Sequence, residues 1–152
     1  MADTHDGVVD AVGGLIKTAW DAGAATIAGG SPALVFEWLN RTGRGGERAD
    51  TESWARVTVR HDEGRGASLG GRSSKRFRRG GYVWVQVFVP FTDGSRPPKA
   101  IELARLVLGA IQDKRSGGLV LSQAKLEEKG QDKSWYRVDV MSRFTWFERR
   151  PT

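Results

Sequence analysis

The chain has 152 residues and a formal net charge of +6 at pH 7. Its length suits one domain with a substantial core, and the lack of cysteine excludes disulfides, thiol catalysis and cysteine-ligated metal sites. The positive charge favours anionic neighbours such as nucleic acid or acidic protein surfaces, while the acidic N-terminus and the short apolar runs predict a cytoplasmic protein without signal peptide or membrane span.

The N-terminal third is predicted to contain a helix, an extended segment and a strand. Apolar residues recur at helical spacing from Asp6 to Ala28. Pro32 to Asn40 is short, apolar and extended, and residues 41–51 are loop. From Trp54 to His61 the residues alternate, so one face of this strand is aliphatic and the other is basic.

A basic arm is predicted from Asp62 to Arg79, where glycines, serines and basic residues lie between two strands. A loop this long inside a compact domain is usually functional or disordered, so we expect a flexible hairpin arm. Its candidate contacts for a partner protein or DNA are Arg65, Arg72, Lys75, Arg76, Arg78 and Arg79. A solvated loop without a partner is the alternative interpretation.

The clearest strand pattern runs from Gly80 to Phe91. Alternation sorts it into a valine face and a second, mainly aromatic face. A strand that is apolar on both sides belongs in the middle of a sheet, and we expect its valine face to lie under helices. The residues of the second face are candidates for a subunit interface: Tyr82, Trp84, Gln86 and Phe88. We expect Trp84→Ala or Phe88→Ala to impair folding or ring formation.

The C-terminal part is predicted to hold a second helix and two more strands. Pro97 and Pro98 suit a helix start, and the helix to about Lys114 is too apolar for one narrow stripe. Strands follow at Leu119 to Glu128 and at Trp135 to Trp146. The fold class is therefore α+β, with a mostly antiparallel four- to five-stranded sheet flanked by two main helices in a single domain spanning 1–152.

Two short motifs that resemble catalytic or metal sites lack the context that their chemistry needs. Gly66 to Gly70 matches the G-x-S-x-G nucleophile motif, but no histidine follows His61 in the chain. Asp62 and Glu63 follow His61 directly, and neighbours on a strand point to opposite faces, so these side chains cannot readily share one ion. We therefore predict that the protein is not an enzyme and needs no metal or cofactor.

The order of these elements and several local segments resemble the phage tail terminator family, typified by the lambda tail terminator. The segments that carry the resemblance are the N-terminal helix, Val35 to Asn40, Ser53 to Val59, Arg79 to Pro90, the turn at Gly94, Ala100 to Ala104 and the Trp135–Tyr136 strand. They cover most of residues 6–147. The basic arm departs from the family pattern, and no single functional residue is carried over.

The resemblance implies a structural assembly protein of the virion tail and neck, assembled in the host cytoplasm. Such proteins form a hexameric ring on the head-proximal end of the tail tube, stop tube polymerisation and join tail to head. The implied partners are further copies of the chain, the tail tube protein, a head-completion or connector protein and DNA passing through the lumen. Two alternatives stay open, namely a single-stranded nucleic-acid-binding module and another neck protein that acts in head closure or tail completion.

Overall fold

The computed structural model describes residues 5–30, 32–37, 52–66, 74–91 and 97–151. Within these ranges, two helices and six strands follow one another. They are α1 (His5–Ala28), β1 (Ala33–Glu37), β2 (Trp54–Gly66), β3 (Ser74–Pro90), α2 (Pro98–Ile111), β4 (Arg115–Ser116), β5 (Leu119–Asp132) and β6 (Trp135–Pro151). The two predicted helices are therefore confirmed. Neither of them is long and apolar enough to cross a membrane.

The six strands form one mixed sheet in the order β1, β2, β3, β6, β5, β4, and the sheet is curled like half a barrel. β1 runs parallel to β2, while the other neighbouring strands are antiparallel. The prediction of a mostly antiparallel sheet of four to five strands is therefore wrong, because the sheet has six strands and is mixed. The parallel pair was missed because residues 38–53 join β1 to β2, and a connection of that length does not impose a hairpin. A two-residue strand such as β4 is too short to show alternation.

The central strands are longer than the sequence pattern indicated, and they run into the predicted basic arm. Residues 62–66 and 74–79 belong to β2 and β3 and are not loop. β2 pairs with β3 as far as Gly66 opposite Phe77, and β3 pairs with β6 as far as Ser74 opposite Pro151, so this part is a ribbon of three strands that narrows to two at its end. The pattern was missed because glycine and arginine give no apolar alternation. Residues 67–73, including the candidate contact Arg72, lie outside the described residues.

One face of the sheet packs on both helices, and the core lies between them. The α1 residues Val8, Val12, Ile16, Trp20 and Ala24 recur every fourth position and are all buried. They belong to one cluster with Val83, Val85, Val87 and Val89 of β3. The prediction that the valine face lies under the helices is confirmed. Burying each such aliphatic side chain stabilises the fold by about 1.5 to 3 kcal/mol.

The apolar surplus of α2 has a partner inside the chain. Leu103 and Val107 of α2 are buried in the core. Leu106 lies on another side of this helix, where it is partly buried and packs against the core. A methyl group placed on Gly23 of α1 would lie 3.0 Å from the Leu106 side chain. The second helix is therefore apolar on several sides because it contacts both the sheet and α1.

Candidate interaction surface

The sheet face turned away from both helices, called the open face below, carries aromatic and charged side chains. Cross-strand pairing places Trp54 opposite Phe88 and Phe88 opposite Arg137. The same register places Trp84 opposite Met141 and Tyr82 opposite Arg143. In the order of the strands, this face includes Trp54, Arg56, Thr58 and Arg60 of β2, Tyr82, Trp84, Gln86 and Phe88 of β3, Trp135, Arg137, Asp139, Met141 and Arg143 of β6, and Lys125 of β5.

One end of the open face, called the closed half, is filled by its own side chains. Trp54 and Phe88 stack with ring centroids 4.4 Å apart, and Trp135 meets both rings edge-on. The Arg56 guanidinium lies 5.7 Å from the Phe88 centroid, and its Nε donates to Gln86 Oε1 at 2.7 Å. Phe88 and Gln86 are only 5% and 6% exposed. Phe88 and Gln86 therefore leave little surface for a partner, while Trp54, Arg56 and Trp135 around them are half-buried.

A buried carboxylate lies at the boundary of the closed half. Asp139 is fully buried, accepts a 2.9 Å hydrogen bond from Trp84 Nε1 and accepts two from the Arg137 guanidinium at 2.8 and 2.9 Å. Arg137 also lies 3.5 Å from Asp132 and 5.7 Å from the Trp84 ring centroid. The hydrogen bond to Asp139 raises the pKa of Arg137 above its ordinary value. This network fixes the orientation of the Trp84 ring.

Beyond Trp84 the open face contains a groove of about 490 Å³. It is lined by residues of three strands, among them Tyr82, Trp84, Gln123, Lys125, Met141 and Arg143. The groove borders a bulge in β5, because the register with β6 passes from Ser122 opposite Arg143 to Lys125 opposite Met141. Gln123 in this bulge has a φ of 54°. The side chains of Trp84 and Met141 thus form an apolar floor of the groove, and the cationic side chains of Lys125 and Arg143 lie beside it.

The four predicted interface residues divide between the two halves. Tyr82 and Trp84 line the groove and are half-buried, whereas Gln86 and Phe88 belong to the closed half. Sequence reasoning missed Gln123, Lys125, Met141 and Arg143. The alternation of polar residues along β6 was visible in the sequence, since Arg137, Asp139 and Arg143 recur at every second or fourth position. The bulge in β5 that completes the groove had no such signal.

Residues 62–66 of β2, residues 74–79 of β3 and the end of β6 that pairs with them form a ribbon, called the basic ribbon below. It begins next to the groove. Arg78 is exposed, Arg79 is half-buried, and Phe147 lies opposite Arg78 on β6 with 38% of its surface exposed. The backbone register also places basic residues opposite one another in three rows, Arg65 with Arg78, Lys75 with Arg150, and Arg76 with Arg149. Four of the predicted contacts, Arg65, Lys75, Arg76 and Arg78, therefore face another basic residue, whereas Arg79 lies opposite Gly64 and Trp146 and Arg72 is outside the described residues.

The discarded catalytic and metal motifs have other surroundings in the fold. His61 meets the rings of Phe144 and Trp146 edge-on, with centroids 5.3 and 6.1 Å away. The Asp62 carboxylate lies 3.4 Å from the Arg143 guanidinium. Within the described ranges, no three side chains of histidine, aspartate or glutamate are grouped as a metal site. Most of the segment from Gly66 to Gly70 lies outside those ranges.

Comparison with known proteins does not assign a family. No family model and no curated protein matches the sequence. Among the solved structures that match, one of a protein whose name carries no function has a TM-score of 0.49 and 19% identity over 87% of this chain and 93% of that chain. A likeness this weak supports no conclusion about fold or function.

Proposed function

We propose that the protein is a structural assembly protein that caps the head-proximal end of a phage-type tail tube as a ring. In this role it ends tube polymerisation and joins the tail to the head. The observation that supports the proposal most directly is the half of the open face that contains the groove, called the groove half below. It presents half-buried aromatic side chains and cations that neither helix covers. Its residues suit recognition of another protein surface, because their main chemistry is contact and charge.

The composition of the groove half is that of a protein interface. Tyrosine, tryptophan, methionine and arginine are enriched in the buried centres of interfaces, and Tyr82, Trp84, Met141 and Arg143 meet here. The Trp84 ring is held by Asp139 before any partner arrives. Such a ring loses little conformational freedom on binding, which favours association.

A ring needs a second surface, because subunits that associate head-to-tail present two different and complementary patches. The exposed Phe147 of the basic ribbon is the candidate for that second surface, since an apolar ring is complementary to the aromatic side chains of the groove half. The basic ribbon also carries the positive charge that would attract an acidic tube end, a connector or the DNA that passes through the ring. In this scheme the partners are further copies of the chain, the tail tube protein and a head-completion or connector protein.

Native mass spectrometry and negative-stain images of the purified protein test the proposal. We expect a closed ring, with six copies as in the family that the sequence resembles. A protein that stays monomeric at every concentration, both alone and with tail tube protein, would contradict ring assembly. Deletion of residues 67–73 should weaken joining of tail to head, and unchanged joining would remove the arm from the proposal.

Binding to single-stranded nucleic acid is the second candidate, favoured by the interleaving of aromatic and basic side chains on one sheet face. It predicts a monomer whose tryptophan fluorescence is quenched by oligonucleotides, with an affinity that falls steeply as salt rises. The closed half argues against it, since one face of the Trp54 ring is covered by Phe88 and Phe88 itself is only 5% exposed.

A further inference from the structure

We propose that a row of arginines on the open face binds the phosphate backbone of double-stranded DNA without reading its sequence. This row, called the arginine stripe below, follows β2 and β3 into the basic ribbon and consists of Arg60, Arg65, Arg76 and Arg78. The inference deepens the proposed function, because it selects DNA from the partners considered for the basic ribbon. It rests on that function only for the source of the DNA, and it can hold even if no ring forms.

The four arginines lie on one face of the sheet. Paired residues of neighbouring strands share a face, and Arg60 pairs with Tyr82 of the open face. Arg65 pairs in the same way with Arg78. Arg76, Arg78 and Tyr82 are separated by even numbers of residues along β3, whose register with β6 is continuous, so they share that face. From the row of Tyr82 to that of Arg76 the stripe extends over about 20 Å.

A bulge in β2 brings Arg65 into the stripe. The register with β3 shifts by one residue between His61 and Glu63. With regular pairing Gly64 would lie opposite Arg78, and Arg65 would belong to the other face, because a slip of one residue exchanges the two faces of a strand. Bulges near functional sites commonly redirect residues in this way.

The arginine stripe carries positive charge that the described part of the chain does not neutralise. Arg60 and Arg78 are exposed, and neither makes an ion pair with another described residue. Two pairs of arginines also lie directly opposite each other, Arg65 with Arg78 and Arg76 with Arg149 of β6. Like charges in this arrangement destabilise a sheet. An anion bound between them would remove that repulsion.

The acidic residues nearby do not balance these arginines. The Asp62 carboxylate lies 3.4 Å from the guanidinium of Arg143, which is outside the stripe. Glu63 pairs with Gly80 and is the one acidic residue that the described register places between the arginines on this face. Several cations therefore share a single carboxylate, and an anionic partner is complementary to this surface.

The chemistry of the stripe fits phosphates better than an acidic protein surface. All of its cations are arginines, and the planar guanidinium binds phosphate through two parallel hydrogen bonds. Cations that recur along about 20 Å of strand suit a polymer that carries its charge at regular intervals. A protein partner would need an apolar centre, whereas Glu63 and Gly80 are the residues between the arginines on this face.

A duplex fits the stripe better than a single strand does. Single-strand sites stack successive bases on aromatic side chains. Beside the stripe the open face has Tyr82 and Phe147, which lie four residues apart in register, or about 14 Å along the strands, too far for neighbouring bases. The basic ribbon narrows to the two strands β3 and β6 at its end. The major groove of B-DNA, about 12 Å wide, admits a two-stranded ribbon.

Fluorescence anisotropy with the intact chain tests the inference. The probe is a short labelled duplex of mixed sequence, titrated at several salt concentrations. We expect the logarithm of the association constant to fall with the logarithm of salt concentration, with a slope of about −3 to −4 for each bound chain, because four phosphate contacts contribute roughly 0.9 each. Duplexes of different sequence should bind equally, since phosphate contacts carry no sequence information.

Two arginine variants supply the comparison. Arg78 is exposed, so Arg78→Gln should fold normally, which its unfolding curve verifies. It should reduce the magnitude of the slope by about 1 for each bound chain, and adding Arg60→Gln should reduce it by about 1 more. Arg105→Gln is the matched control, because Arg105 is exposed on α2 on the other side of the sheet. This variant changes the net charge equally and should leave the slope unchanged.

Three outcomes would overturn the inference. They are the lack of salt-dependent binding to the duplex, an equal loss of slope in Arg78→Gln and Arg105→Gln, and tighter binding to the single-stranded probe or to polyglutamate, which stands in for an acidic protein surface. The ring images are read separately. A monomer that binds the duplex with the expected slope refutes the ring but supports the stripe, and a ring that does not bind the duplex refutes the stripe alone.

Discussion

Trp84 on β3 donates its indole N–H to Oδ2 of Asp139 on β6 at 2.9 Å, and this bond marks the boundary between the closed half and the groove. Asp139 is fully buried, although it lies on the sheet face that neither helix covers. Arg137 neutralises its charge, and the Trp84 N–H occupies one of its remaining acceptor sites. The Asp139 carboxylate therefore stabilises the fold and also positions Trp84, which lines the groove.

Replacing Asp139 by asparagine should destabilise the protein, because Arg137 would then lie beside a neutral amide. We expect a loss of about 2 to 3 kcal/mol, below the cost of breaking a fully buried pair, since Arg137 retains some exposure. Urea unfolding followed by circular dichroism measures the change. Glu127→Gln removes an exposed carboxylate and should leave the unfolding midpoint almost unchanged; equal effects of the two variants would contradict the assigned role of Asp139.

Phe88 and Tyr82 lie on the same face of β3, yet their alanine variants should fail in different ways. Phe88 is stacked on Trp54 and 5% exposed, so Phe88→Ala should cost about 3 to 5 kcal/mol of folding stability. Tyr82 lines the groove, so Tyr82→Ala should keep a normal unfolding curve and lose assembly. Thermal unfolding and native mass spectrometry of both variants provide the comparison. A Tyr82→Ala protein that forms normal rings would remove Tyr82 from the interface.

Gly81 has no room for a side chain. A methyl group there would lie 1.9 Å from the carbonyl oxygen of Arg60 and 2.7 Å from the Phe144 ring. Because backbone must then move, Gly81→Ala should cost about 3 kcal/mol or more, at the upper end of the overpacking range. Gly109 of α2 meets nothing within 4 Å, so Gly109→Ala should instead add about 0.4 to 1 kcal/mol. Chemical denaturation of both variants checks the sign, and a stabilised Gly81→Ala would refute the packing described for β2 and β6.

Glu127 should titrate below its ordinary pKa of 4.5, because Lys129 donates a hydrogen bond to its carboxylate and adds favourable charge. A folded pKa below the unfolded one means that the contribution to stability is present above the unfolded pKa and is lost as pH falls through the folded value. Lys129→Ala should return the pKa toward 4.5, and Lys125→Ala should have a smaller effect. Carboxyl chemical shifts measured against pH decide this, and a larger effect of Lys125→Ala would contradict the assignment.

Local periodicity accounts for the part of the fold that could be predicted. The helix from Asp6 to Ala28, the valine face of β3 and the aliphatic face of β2 each depend on residues close in sequence that repeat at 3.6 or 2 positions. The length of β2 and β3 could not be predicted in the same way. Their ends are rich in glycine and arginine, and they are strands because β2 pairs with β3 as far as Gly66 and β3 pairs with β6 as far as Pro151.

Alternation along the sequence was enough to predict that Tyr82, Trp84, Gln86 and Phe88 share one side of a central strand, because it follows from backbone geometry alone. Which of them are available to a partner depends on the packing of the whole sheet. Trp54 of β2 and Arg137 of β6 belong to strands distant in sequence, and they close the surface around Phe88 and Gln86. The bulge at Gln123 of β5 borders the groove beside Trp84. The exposure of a side chain depends on such long-range neighbours, which cannot be predicted from the residues of a single strand.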